Sequence, residues 1–412
     1  MTADRWKTII KEYWPLAALL LLAALLRLPS PEGLSYYTIT ETYRDLGILH
    51  GLSHGRAVLL GPPSSYEVLR FGPIYYYLYF PFALVSGFRP YSLALGSLFF
   101  SLLTIALAFH AAGRWFKDRQ VAWLAALLLS VSALDVQFAK YGSNPNTLPF
   151  FALLFFFQLE KFVRGRQRGA DAFILGLAFA VATQLHSVAF VSLPLALLAV
   201  MIATRAKGVR PRDLLMFAAA AGALYLPFFA AEISNRFADL IGLFHLAGGS
   251  SVYGTFPNRF AEAGAFWLSL LVRFVPVFID HPVAGVCYLS ANTALVVTAW
   301  YADSRRRSVT AAAAAAAAAS VKTILACWLA VPMAVLLLPI GGVNNLPVYY
   351  FPMLIPLGYL LSALGLARLM EKGLRLTAYS IIGSFLFWQA VQTFLDHSEY
   401  PSFLTVWLGR LF

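Results

Sequence analysis

SPEGLSYYTITETYRDLGILHGLSHGRAVLLGPPSSYEVLRFGPIY, residues 30–75, is the first long stretch of this chain that is not apolar. It carries Glu32, Glu41, Arg44, Asp45, His50, His54, Arg56, Glu67 and Arg70. An apolar run, 13–29, precedes it, and apolar runs of bilayer length dominate the remainder of the chain. Of 412 residues, 60% are hydrophobic and 12% charged, with a mean hydropathy of +0.71. A soluble domain carries about twice that share of charge, roughly 25%. The chain therefore reads as an all-α polytopic membrane protein that concentrates its ionisable groups in one early loop.

Working outward from that loop, spans are expected at 13–29, 91–111, 120–137, 147–160, 172–186, 188–204, 213–231, 283–302, 320–339, 348–367 and 377–395. That makes about eleven transmembrane helices. Two further apolar stretches, 73–88 and 263–280, are assigned as juxtamembrane helices lying along the interface. With this assignment the alternate connections 1–12, 112–119, 161–171, 205–212, 303–322 and 368–376 hold 21 of the 31 basic residues. The positive-inside rule then makes them cytoplasmic and the 30–75 loop external. Segments 138–146, 232–262 and 340–347 are expected on the external side too. The net charge of +12 does not indicate nucleic-acid binding, because the basic residues sit in short turns between spans. The two cysteines, Cys287 and Cys327, lie in apolar segments and form no disulfide framework. The first apolar run is too long for a cleavable signal and lacks a small-residue cleavage site.

Three groups of residues carry candidate chemistry. Glu41, Arg44 and Asp45 stand at i, i+3 and i+4, on one face of a helix. They suit either a solvated surface helix or a general base beside a phosphate-binding arginine. Gly72-Pro73 opens a helix whose tyrosines, beginning at Tyr75, fit the headgroup level, and Arg70 precedes it. Lys140 to Asn146 is a polar turn between two spans. It reads as a capped helix start or as a contributor to the same cavity. His186 ends a span, and polar groups at that depth point to function by default. A metal site from His186 with Glu41 or Asp45 is conceivable, but no ligand spacing enforces it. No phosphate-loop, zincin, Ser-His-Asp or dinucleotide-binding pattern occurs.

The order of these features resembles the GT-C superfamily of glycosyltransferases. Within it, the bacterial family 39 type is the nearest fit, the class of lipid A aminoarabinose transferases and protein O-mannosyltransferases. The resemblance rests on the early acidic loop, the Gly72-Pro73 element, and the hairpins of spans with basic turns. It is good over 13–205 and weaker beyond, where Asn344 to Pro352 looks like a late loop and the following span. The chain is accordingly divided into a 1–205 GT-C-like module and a variable 206–412 part.

The resemblance implies inverting transfer of a sugar from a polyprenyl-phosphate carrier to a lipid, glycan or protein acceptor. The expected location is the bacterial inner membrane, with the site on the periplasmic face. It implies Glu41 as base, with Glu standing where Asp is usual, and Asp45 as a rival for that role. Arg44, Arg70 and Lys140 are implied to hold the lipid phosphate around one shared cavity. Tyr75, Asn146 and His186 complete the substrate-binding set. Asn146 stands where the family carries an Asp, so the cofactor stays open, with a divalent cation the candidate. Two other readings remain: a transporter or flippase for a lipid-linked or small polar substrate, and a non-catalytic GT-C-like subunit.

Overall fold

The structure is a computed structural model. It describes residues 3–29, 39–63, 70–164, 169–206, 209–247, 312–337 and 352–395. The expected span 283–302, the interfacial stretch 263–280, the loop 340–347 and most of 344–352 lie outside the described residues.

The described chain is helical, apart from short turns, two 3-10 segments and isolated bridges such as Pro63–Arg70. The helices are α1 (Ala3–Arg27), α2 (Ile39–Ser53), α3 (Ile74–Val85), α4 (Ser92–Phe116), α5 (Arg119–Ser130), α6 (Ala133–Ala139), α7 (Leu148–Val163), α8 (Gly169–Leu185), α9 (Ser187–Ala203), α10 (Pro211–Ser234), α11 (Ala238–Ala247), α12 (Ala312–Leu337), α13 (Ile355–Glu371) and α14 (Arg375–Leu395). Every expected span within the described residues carries helix. Among the described residues, three stretches are long and apolar enough to cross a membrane unaided: Ser92–Phe116, Pro211–Ser234 and Pro352–Glu371. A fourth is the pair α5 and α6, bent by 57° at its break. Such helices, hydrophobic nearly all round, satisfy their backbone polar groups internally, as a bilayer requires.

Ion pairs sort the helix ends into two groups. At one end Arg114 reaches Glu160 at 3.3 Å, Lys161 reaches Asp171 at 3.2 Å, and Arg368 lies 3.7 Å from Asp118. Arg164 pairs with Glu160 and donates to the Ser320 hydroxyl. These residues come from 112–119, 161–171, 303–322 and 368–376, four of the six basic connections singled out in the sequence. At the other end, Asn144 donates to the Leu185 carbonyl at 2.6 Å, and Tyr79 meets Ser97 at 2.8 Å. That is the loop end, where α2 and α3 lie. Among the described residues, these connections fall at two ends as expected.

The hairpin at His186 follows from packing. Gly169 lies against Met216, Gly176 against Phe217 and Ala220, and Gln184 against Leu224. α8 and α10 therefore run in the same direction, and α9 between them returns. His186 is extended, and its Nδ1 accepts from the Val188 amide at 3.2 Å, capping α9.

The α5–α6 break is held by a group absent from the sequence-based expectations. Arg27, at the end of α1, is fully buried. Its Nη2 donates to Asp135 Oδ2 at 2.8 Å and to the Leu129 carbonyl at 2.8 Å; Nη1 donates to the Ser130 carbonyl at 2.6 Å. Carbonyls in the last turn of a helix have no intrahelical donor. One guanidinium supplies it here, while Ser101 donates to the same carboxylate oxygen at 2.6 Å. From the far part of the chain, Tyr359 donates to Ser132 Oγ and Gln389 accepts from the Ala133 amide.

Candidate functional site

α2 begins within the polar loop and places its two carboxylates differently. Glu41, in its first turn, is exposed. Asp45, one turn on, is buried under α3, its side chain 4% exposed. Arg44, 38% exposed, donates from Nε to Asp45 Oδ1 at 2.8 Å. Tyr76 donates its hydroxyl to the same oxygen at 3.0 Å. A carboxylate buried this far is sustained only by such charge-assisted partners.

The charges tune one another. Burial opposes the positive charge on Arg44, but the Asp45 carboxylate outweighs it and raises the guanidinium pKa. Burial, then the negative charge of Asp45, pushes the Tyr75 hydroxyl well up, and the same two causes lead for Tyr76. Both phenols are held neutral, and Tyr76 serves as the donor. The Tyr75 hydroxyl is buried close enough to feel Asp45 but forms no well-shaped hydrogen bond.

A polar seam runs on from there. Tyr79 OH meets Ser97 Oγ at 2.8 Å, Ser97 donates to the Tyr141 carbonyl at 2.7 Å, and Asn146 Nδ2 donates to that carbonyl at 2.8 Å. The 140–146 turn is thereby tied to α3, with Lys140 buried in it as the C-cap of α6. Gly142 permits this approach, since a Cβ there would lie 2.0 Å from the Leu93 Cβ.

Arg70 is exposed just before α3. It lines a small pocket with Phe71, Gly72, Thr183, Gln184 and Tyr225, whose free volume of about 20 Å³ is room for one water. Its backbone amide donates to Asp239 of α11 at 2.9 Å. His186 stacks on Phe71, with ring centroids 6.3 Å apart. Among the described residues no three His, Cys, Asp or Glu side chains are placed to hold a metal ion.

The structure thus joins Arg44, Asp45 and Tyr75 at one point and reaches Asn146 through the seam. Arg70 and His186 sit by the α8–α9 hairpin. Tyr76, Tyr79 and Ser97 were not singled out in the sequence, although the run Tyr75-Tyr76-Tyr77 before an apolar stretch was a usable signal. Arg27 and Asp135 were missed as well. A charge inside an apolar run was the available clue to both.

No family model and no curated protein matches the sequence. Solved structures do. ArnT from Cupriavidus metallidurans, bound to undecaprenyl phosphate, superposes with a TM-score of 0.57 at 16% identity, covering 93% of this chain and 64% of that one. The Archaeoglobus fulgidus oligosaccharyltransferase, in a complex with zinc and sulfate, superposes at 0.58 and 17% identity, covering 92% and 52%. The oligosaccharyltransferase AglB from Archaeoglobus fulgidus, with an inhibitory peptide and a dolichol-phosphate, gives 0.54 at 16%, covering 96% and 56%. The fold is GT-C. The superpositions cover 92–96% of this chain. This chain spans about half to two thirds of the length of these proteins.

Proposed function

We propose that this chain is an integral-membrane glycosyltransferase of the family 39 type. It moves a sugar from a polyprenyl-phosphate carrier to a hydroxyl of a lipid, glycan or protein acceptor, at the loop end of the bundle. The observation that carries the reading is the Arg44–Asp45 pair, locked by Tyr76 where α2 meets α3, on a GT-C fold. On this reading the loop end is external and the membrane is a bacterial inner membrane.

The reaction needs a base for the acceptor and cationic groups for the departing phosphate. Asp45 is too enclosed to meet an acceptor, whereas Glu41 is exposed on the same helix. Glu41 is therefore the base: it takes the hydroxyl proton while the acceptor oxygen bonds the anomeric carbon. The bond from that carbon to the phosphate oxygen breaks, and the carrier leaves as polyprenyl phosphate. The configuration inverts. Asp45 is the positioning residue. It holds Arg44 Nε, which leaves the two terminal nitrogens of the fork for the phosphate. Arg70 and Lys140, carried by neighbouring pieces of the loop end, are the further cations of the substrate region. Tyr75, Asn146 and His186 shape its walls.

The test is to purify the chain in detergent, supply undecaprenyl-phosphate hexoses, and follow release of undecaprenyl phosphate by mass spectrometry. Turnover that falls about 10²–10⁴-fold in Glu41→Gln, with the fold retained, supports the reading. Wild-type turnover in Glu41→Gln together with a dead Asp45→Asn would transfer the base to Asp45. No turnover with any such carrier would leave this chain a subunit or a transporter.

A further inference from the structure

At the end of the bundle opposite the candidate site, an open groove of about 600 Å³ lies between α1, α4 and the start of α5. Tyr13, Phe109, His110, Gly113, Arg114, Lys117, Asp118, Arg119 and Ala122 line it. Tyr13 packs edge-on against Phe109, with centroids 6.4 Å apart, and Phe109 packs on Trp123 at 4.7 Å. Tyr13 and its neighbour Trp14 are exposed large aromatics of α1. The same lining carries three cations and one carboxylate. Asp118 is already engaged, capping α5 through the Gln120 amide at 2.8 Å and lying 3.7 Å from Arg368. Arg114 is shared with Glu160. Lys117 is exposed and, among the described residues, makes no hydrogen bond or ion pair.

The backbone adds a second, independent pointer. Lys117 is the C-cap of α4, at φ 52° and ψ 34°, in the left-handed region. Gly or Asn adopts that conformation more cheaply. The chain nevertheless places a long cation there, in the lining of the groove. Aromatic rings and cations lining one groove at the end of bilayer-length helices match an acyl chain joined to an anionic head.

We propose that this groove binds the phosphate headgroup of an anionic membrane phospholipid, with Lys117 as its principal cation and the Tyr13–Phe109 wall against the chain. The site lies at the opposite end of the bundle from the proposed sugar transfer and does not depend on it.

Native mass spectrometry of the detergent-purified chain, incubated with phosphatidylglycerol or phosphatidylcholine, tests this. Phosphatidylglycerol should be retained preferentially. Lys117→Asn, which removes the charge but suits the left-handed backbone, should lower that retention about fivefold, the worth of one basic residue at an anionic surface. Lys117→Arg should preserve it. Arg375→Gln, an exposed charge at the same end but outside the groove, should leave it unchanged. Equal retention of both lipids, or an equal loss in Arg375→Gln, would overturn the proposal in favour of diffuse surface charge. Displacement of phosphatidylglycerol by millimolar inorganic phosphate would also overturn it, marking a site for a soluble anion.

Discussion

Replacing Arg27 by Met should be among the most damaging single changes in this protein. The guanidinium is fully buried and serves four elements at once: α1, α4 through Ser101, the last turn of α5, and Asp135 in α6. Its loss leaves the Asp135 carboxylate in apolar surroundings with Ser101 as its remaining side-chain donor. It also strips the Leu129 and Ser130 carbonyls of their cationic donor. Breaking a buried pair by removing one partner costs about 3–5 kcal/mol, because the other charge is stranded. At roughly 2 °C per kcal/mol, the low end for large domains, that is a fall in Tm of about 6–10 °C. The assay is thermal unfolding of the detergent-purified chain, read by fluorescence-detected gel filtration. The stranded charge, rather than lost packing, must be the cause. The double variant Arg27→Met with Asp135→Leu should therefore recover most of the loss, since apolar substitutes for a buried pair are often neutral. An Arg27→Met protein melting within about 1 °C of wild type would refute the reasoning. So would a double variant as unstable as the sum of the two singles.

Three further outcomes are expected. Gly72→Ala should destabilise the loop end by about 1–3 kcal/mol, because its Cβ would fall 1.9 Å from Gln184 Oε1 with the fully packed α8 behind it; limited proteolysis of the 61–72 segment reads this, and unchanged resistance counts against it. Arg44→Lys keeps the charge but loses the planar fork, so the apparent KM for an undecaprenyl-phosphate sugar should rise about tenfold or more with a smaller change in kcat; an unaltered KM would remove Arg44 from the phosphate site. In an otherwise cysteine-free chain, single cysteines at Ser53 and Lys117 should react with a membrane-impermeant maleimide from opposite sides of the membrane, Ser53 from outside; labelling of both from one side would reject the two-ended arrangement.

Sequence alone determined the class of molecule, because bilayer-length apolar runs and a charge-poor composition admit little else. It also separated the two ends. Basic turns recur at every second connection, and that regularity survives as the Arg114–Glu160, Lys161–Asp171 and Arg368–Asp118 pairs at one end. It drew attention to Glu41, Arg44 and Asp45, since charges one turn apart share a helix face. It could not say which of the two carboxylates is enclosed. Only the packing of α3 over α2 decided that, by bringing Tyr76, 31 residues distant, onto Asp45 and leaving Glu41 in the open. The Arg27–Asp135 pair was equally out of reach. Its members are 108 residues apart, and each looked like a stray charge within an apolar run. Local pattern records which groups share a helix face, because helical period is a local property. Which buried charge meets which partner is settled by desolvation, and that depends on the elements that close over it in the folded chain.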